Sequence, residues 1–358
     1  MHIPRTVTAA AAASAPRFAM YYDQWHSASP SKDAMAGITH VITAFAGTTL
    51  FTSDPPGTYT PFTDVATLRS QFPDGTKVCM AIGGWGDTAG FSVGQKDDTS
   101  RKLYAKNIAS TLDSLGYDCV DIDWEYPGGN GEDYKQNPNS GKTDEITNYA
   151  LFLAEVKSAI GDKELSIAVP GLERDMIAFT SEQVPKINAA VDVVNVMSYD
   201  LINRRDNTTN HHTSVKGSLA TVEKYIELGM DPAKLNLGFA FYAKYFTTQG
   251  ECTQPIGCPT VLLEDANGGD TGKSGAVTFK EVPPVLSSGK ADTDQGGQWY
   301  WDSSTSYFWT WDTPDFVAQK FEQIVKAKGL GGVMAWSLGE DDSSLTYIKA
   351  IQAGLKTL

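Results

Sequence analysis

Between Tyr117 and Gly129 the chain reads YDCVDIDWEYPGG, with acidic side chains interleaved among valine, isoleucine and tryptophan. Successive side chains on an extended strand point to opposite faces, so Asp121, Asp123 and Glu125 share one face and Val120, Ile122 and Trp124 the other. Stacked carboxylates repel one another, and burying them is costly unless protons or hydrogen-bond donors compensate. A solvated edge strand would explain the carboxylates but leave the intervening apolar residues without a neighbour. A buried strand with a functional inner face accounts for both sets, because such carboxylate rows cluster at active sites.

Seven further apolar runs accompany this one: RFAMYY (17–22), ITHVITAFA (38–46), KVCMAIGG (77–84), LSIAVPG (165–171), VDVVNVMSY (191–199), LNLGFAFY (235–242) and GGVMAWSL (331–338). Helical periodicity fills gaps between them. Tyr104, Ile108, Leu112 and Leu115 recur at three- and four-residue steps, as do Ile146, Tyr149, Leu153, Val156 and Ile160. Before the last run, Thr313 fits a cap, Pro314 the first turn and Gly329 a helix end. Eight strand–helix repeats predict an α/β fold, a (β/α)8 barrel over residues 17–358. A doubly wound sheet would call for a phosphate-binding glycine loop, and Gly83-Gly84 is a weak one. The connection from about 245 to 311 is too long for an ordinary loop. Its content (GAVTFKEV, GGQWYWD, SYFWTWD) predicts a small α+β insertion between the seventh and eighth barrel strands.

The 358 residues are 41% hydrophobic, enough for a large core, and carry 43 acidic against 29 basic side chains for a net charge of -14. That balance argues against nucleic acid or an anionic membrane surface as a partner. No apolar run reaches the length of a membrane span. Residues 1–16 hold an alanine run too short and too mildly apolar for a good signal peptide, and are expected to be a mobile N-terminal segment. Cys252 and Cys258 lie in a loop, GECTQPIGCP, short enough to be closed by a disulfide, which favours a secreted protein. Cys79 and Cys119 fall inside apolar runs and are expected as buried free thiols. No metal-ligand spacing is visible: His211-His212 are adjacent without further spaced ligands, and the polar segment 203–213 is expected as a solvated rim loop. Within it, Asn207-Thr208-Thr209 is a glycosylation acceptor if the chain is secreted.

In a parallel barrel, Val120, Ile122 and Trp124 belong outside, under the helices, while Asp121, Asp123 and Glu125 climb the inside toward the C-terminal rim. With that placement, DCVDIDWEYP resembles the DGxDxDWEYP signature of glycoside hydrolase family 18, the chitinases and their relatives. FAMYY, AIGGW, VMSYD, GFAFYAK and KGLGGVMAWSLGEDD resemble the family's motifs on strands one, three, six, seven and eight, in order. The resemblance spans residues 17–355.

The resemblance implies retaining hydrolysis in which the substrate supplies its own nucleophile, an exception to the two-carboxylate scheme. Glu125 would be the general acid and later the base. Asp123 would hold the acetamide N–H of the sugar, sharing a proton with Asp121. Tyr199 would donate to the acetamide oxygen, and Asp200 would orient the sugar. Trp336 would floor the cleaved sugar, and Trp85 would wall the leaving side. Tyr21 would support Asp121, while Tyr242, Met197 and Lys244 would line the cleft. No cofactor and no metal are implied, and the partner would be chitin or chito-oligosaccharides bound by a monomer.

Three positions depart from the family pattern. Ala81 replaces a serine whose hydroxyl would help hold Asp121, Cys119 replaces a glycine, and Lys244 replaces an arginine. Two other functions compete with a secreted chitinase. An endo-β-N-acetylglucosaminidase acting on N-glycans would use the same chemistry. A chitin-binding lectin on a dead scaffold would be expected to lack the glutamate at 125.

Overall fold

The structure is a computed structural model that describes residues 15–281, 283 and 285–358. Residues 1–14, most of the segment expected to be mobile, lie outside the described residues. The barrel strands are β1 (Arg17–Asp23), β2 (His40–Ala46), β3 (Lys77–Gly83), β4 (Cys119–Asp123), β5 (Glu164–Val169), β6 (Val193–Val196) and β7 (Leu235–Ala240). After a five-stranded excursion, β13 (Gly332–Trp336) closes the ring in the order β1-β13-β7-β6-β5-β4-β3-β2. All neighbours in the ring are parallel. The eight strand runs read from the sequence therefore form the expected barrel.

Helices α1 (Val65–Gln71), α2 (Ala89–Gly94), α3 (Asp98–Leu115), α4 (Thr143–Ile160), α5 (Val184–Ala190), α6 (Val215–Glu227), α7 (Pro314–Lys320) and α8 (Thr346–Leu355) accompany the strands. The sequence signals for their ends act locally. Asp97 accepts from the Ser100 N–H at the start of α3, and Gly116 takes the left-handed conformation at its end, φ 80°. Thr313 caps α7 by accepting from the Phe316 N–H.

Two apolar layers separate cleanly. Outward residues of the strands join the helices in the main core, where Trp124 stacks on Phe91 with centroids 5.3 Å apart and meets Tyr149 edge-on. Inward residues form a second, smaller cluster dominated by small side chains, Ala19, Ala44, Cys79, Ala81, Cys119 and Ala240, with Ile42 and Met334 among them and Tyr21, Tyr199 and Tyr242 as caps. Small residues inside leave volume for the carboxylates of β4.

The insertion is a five-stranded sheet in the order β10-β11-β12-β8-β9, comprising β8 (Tyr242–Thr247), β9 (Ser274–Thr278), β10 (Lys290–Asp292), β11 (Gly297–Asp302) and β12 (Tyr307–Trp311). All its pairings are antiparallel. It begins already at Tyr242, because the barrel strand stops at Ala240 and the chain turns at Phe241.

Two expectations need correction. Cys79 and Cys119 are not free thiols; they are bonded to each other, with Cα atoms 4.5 Å apart. The cause is register: they are direct partners on β3 and β4 and both face the barrel interior. Cys252 and Cys258 are also bonded, Cα atoms 5.7 Å apart. The segment 203–213 is not a solvated loop around its histidines, since His211 and His212 are 1% and 0% exposed. The insertion covers them. His211 contacts Asp292 at 3.1 Å and Thr310 at 3.2 Å. Asn207 itself is exposed.

Alkylation of unfolded, unreduced protein is expected to label no cysteine, and four after reduction. In the loop-entropy picture, bridges spanning 40 and 6 residues contribute about 4 and about 2 kcal/mol. Denaturant unfolding of Cys79→Ser/Cys119→Ser should therefore show the larger loss of stability than Cys252→Ser/Cys258→Ser.

Candidate active site

At the C-terminal mouth of the barrel lies a cleft of about 800 Å³, the face on which barrel enzymes build their sites. Its lining includes Tyr21, Asp123, Glu125, Met197, Tyr199, Asp200, Tyr242, Lys244, Trp85 and Trp336. The site residues proposed from sequence thus converge there, except Asp121, which lies beneath the cleft at 0% exposure.

Asp121 is held from three other strands. Tyr21 Oη on β1 donates to Oδ2 at 2.8 Å, while Ser166 Oγ on β5 and Asn195 Nδ2 on β6 donate to Oδ1 at 2.5 and 3.1 Å. Asn195 accepts from Asn236 on β7, and Asn236 from Arg17 Nε, each at 2.9 Å. Burial pushes the Asp121 carboxyl up, and the three donors oppose that push. The hydroxyl missing at Ala81 is replaced across the strand: Asp121 pairs in register with Ala81 on one side and Ser166 on the other.

Asp123, one pleat higher, is 3% exposed, and its Oδ1 has no hydrogen-bond partner among the described residues. Burial, then the charges of Glu125 and Asp121, push its carboxyl well above the usual range. Both aspartates are pushed toward the protonated form, Asp123 the further, since the donors around Asp121 oppose its burial. Gly83 keeps this position open: it has φ 104°, and a side chain there would collide with the Asp123 carbonyl.

Glu125 follows the last paired residue of β4 and is half-buried at the cleft. Burial pushes it up to about 7; the Tyr126 hydroxyl opposes this, and the negative charges of Asp200 and Asp175 add to it. A carboxylic acid that titrates near neutrality can both give and take a proton.

Asp200 leaves β6 in a left-handed conformation, φ 56°. Its Oδ1 lies 3.0 Å from Lys244 Nζ, 3.6 Å from His212 Nδ1 and accepts from Tyr242 Oη at 2.9 Å. Burial opposes ionisation, but the lysine and histidine outweigh it and hold this carboxyl below the usual range. Asp200 is therefore held toward its ionised form, in the opposite direction from Asp123 and Glu125.

The Tyr199 hydroxyl touches the Met334 sulfur at 3.9 Å, a weak partner for a strong donor. Trp336 stacks on Phe45 at 5.7 Å and tilts against Tyr21 at 5.5 Å. Trp85 is 46% exposed, with the Arg205 guanidinium 5.6 Å from its ring.

Sequence reasoning missed Ser166, Asn195 and Asn236, although each was a lone polar residue at an inward position of an apolar strand. It also missed Phe45, Tyr126, Asp175 and Arg205, which carry no comparable pattern.

A parallel barrel with a buried carboxylate row pushed toward its protonated form in an aromatic cleft defines a candidate acid–base catalyst at a barrel mouth. The family model of glycosyl hydrolases family 18 matches residues 17–341, and the chain belongs to that family. Chitinase 1 of Aphanocladium album is 26% identical over 358 aligned positions, covering 89% of this chain and 80% of that protein. Sporulation-specific chitinase 2 of Saccharomyces cerevisiae is 28% identical over 78% of this chain, which spans 58% of the yeast protein. The second catalytic domain of the Ostrinia furnacalis group II chitinase superposes with a TM-score of 0.78 at 24% identity, covering 96% and 97% of the two chains. A second structure of that domain, TM-score 0.77 at 23% identity over 96% and 97% of the chains, is a mutant in complex with a penta-N-acetylchitooligosaccharide.

Removing a donor to Asp121 should raise its pKa. Ser166→Ala and Tyr21→Phe are each expected to shift the Asp121 carboxyl upward by about one pH unit, the equivalent of one hydrogen bond to a charged group. Carbon-13 NMR of labelled aspartate measures it.

Proposed function

We propose that this protein is a chitinase that hydrolyses β-1,4-linked N-acetylglucosamine polymers and oligomers with retention, using the substrate's acetamide as nucleophile. The observation that carries the reading is Asp123, buried and pushed toward its protonated form, with an unpartnered oxygen between donor-held Asp121 and near-neutral Glu125. A carboxylate so placed is poised to accept one N–H when its proton moves toward Asp121.

Glu125 gives its proton to the glycosidic oxygen as the C1–O bond breaks. The acetamide carbonyl oxygen attacks C1 from the opposite side, and an oxazolinium ion forms. Asp123 accepts the acetamide N–H and offsets the positive charge, while Tyr199 donates to the acetamide oxygen. Water then adds to C1 and returns its proton to Glu125. Trp336 supplies an apolar floor, Trp85 a wall on the leaving side, and Lys244 and Tyr242 keep Asp200 charged and in place for sugar hydroxyls.

The relatives that carry the name chitinase support the substrate class. Two disulfides support an oxidising compartment, and one relative, of Penicillium expansum, is named a secreted chitinase. No helix among the described residues is long and apolar enough to cross a membrane.

Glu125→Gln is expected to retain chito-oligomer binding and lose about two or more decades of kcat. For the parent protein, kcat/KM should fall as pH rises through about 7, because the general acid is then deprotonated. Wild-type turnover in the purified Gln variant would refute the assignment. Acetylated oligomers should be cut and fully deacetylated ones bound but scarcely cut, despite their charge complementarity to an acidic protein. Comparable cleavage of both, or a glycosyl–carboxylate adduct in the mass spectrum, would overturn the mechanism. A product profile on defined chitin oligomers against an N-glycopeptide separates chitinase from endo-β-N-acetylglucosaminidase.

A further inference from the structure

Beside the cleft floor, the end of β1 meets the turn that follows β13. Asp23, the last residue of β1, is 0% exposed, and Glu340 is 5% exposed. Between them stands His26, whose Nδ1 lies 3.1 Å from Asp23 Oδ1 and 3.3 Å from Glu340 Oε1. The three donor atoms lie within 4.8 Å of one another. Gly339 permits this approach, since a side chain there would collide with the His26 carbonyl.

Asp23 is fixed independently of the histidine. Its Oδ1 accepts the backbone N–H groups of Trp25 and His26 at 2.9 and 2.8 Å, and its Oδ2 accepts Ser337 Oγ at 2.5 Å. Glu340 is not so provided for: its buried Oε2 has no partner among the described residues. Among those residues, no lysine or arginine reaches ion-pair distance of either carboxylate; each has only His26. Two buried carboxylates thus share one imidazole and no other cationic side chain among the described residues, and one carboxyl oxygen is left without a partner.

We infer that Asp23, His26 and Glu340 form a binding site for a divalent first-row transition ion, of which Zn²⁺ is the representative. Tetrahedral coordination at about 2.0–2.1 Å places ligand atoms about 3.3 Å apart, matching the two measured separations from Nδ1. The imidazole selects against Mg²⁺ and Ca²⁺, which take oxygen donors. Three protein ligands leave one position of a tetrahedron for water, and the His26 side chain, 35% exposed, marks the side open to solvent. The ion would take the place of the proton between these groups and fasten the end of the first barrel strand to the turn after the last. The inference rests on geometry and donor chemistry and does not depend on the proposed reaction.

The test is calorimetric titration of chelator-treated, dialysed protein with Zn²⁺ at pH 7.5, alongside His26→Ala and Glu340→Gln. Co²⁺ replaces Zn²⁺ in a parallel optical titration. One equivalent bound with micromolar or tighter affinity, a four-coordinate Co²⁺ spectrum and a loss of about tenfold or more in each variant are expected. Absence of stoichiometric binding to the parent would overturn the site, as would unchanged affinity in both variants with unchanged circular dichroism. If Glu340→Gln does not fold, His26→Ala at the more exposed position decides.

Discussion

Burial of the Asp121 carboxylate is the constraint on which the rest of the site depends. An ion inside a barrel survives only if its oxygens are met by donors, and here they come from β1, β5 and β6, with β7 and Arg17 holding the relay in place. Asp123, one pleat above, is pushed toward its protonated form by burial first and then by the charges of Glu125 and Asp121, and it keeps an unpaired oxygen. Glu125, at the rim, is displaced toward neutrality by burial and then by the charges of Asp200 and Asp175. Burial and the donors that oppose it thus grade the row: three donors at the bottom, an unpartnered oxygen in the middle, and a carboxyl near neutrality at the top.

The inner layer of small residues is the complement of that row. Alanines and a disulfide occupy many of the inward positions of β1, β2, β3 and β4 where larger side chains would otherwise fill the barrel. The bridge joins the strand carrying the carboxylates to its neighbour. The insertion does similar work at the rim. Its first strand delivers Tyr242 and Lys244 to Asp200, and its far strands cover His211 and His212, so a sheet outside the barrel sets the charge of a residue inside the cleft.

Hydrophobic period and helix punctuation made the elements legible. The apolar runs match the strands closely, the three-and-four spacing placed α3 and α4, and Thr313 caps α7 as its type requires. Strand ends were less exact: Tyr242 reads as part of the seventh run because it is aromatic and follows an apolar pattern, yet it opens the insertion sheet. The alternation in YDCVDIDWEYP sorted inward from outward residues, since a period of two admits one assignment once the apolar face is known. The motif resemblance named the cleft residues.

Pairing between strands was not legible, because register is a relation between segments far apart in the chain. Nothing near Cys79 announces Cys119 as its neighbour, and nothing near Ala81 announces that Ser166 supplies the hydroxyl on the other side of Asp121. His211 and His212 looked solvated because their surroundings in sequence are polar, whereas their burial comes from a sheet formed by later residues. Asp23 and Glu340 meet only because the barrel closes its last strand on its first. Side-chain period and local caps are properties of short windows and survive in the sequence alone; protonation, crosslinking and shared sites depend on which windows closure brings within a few ångströms.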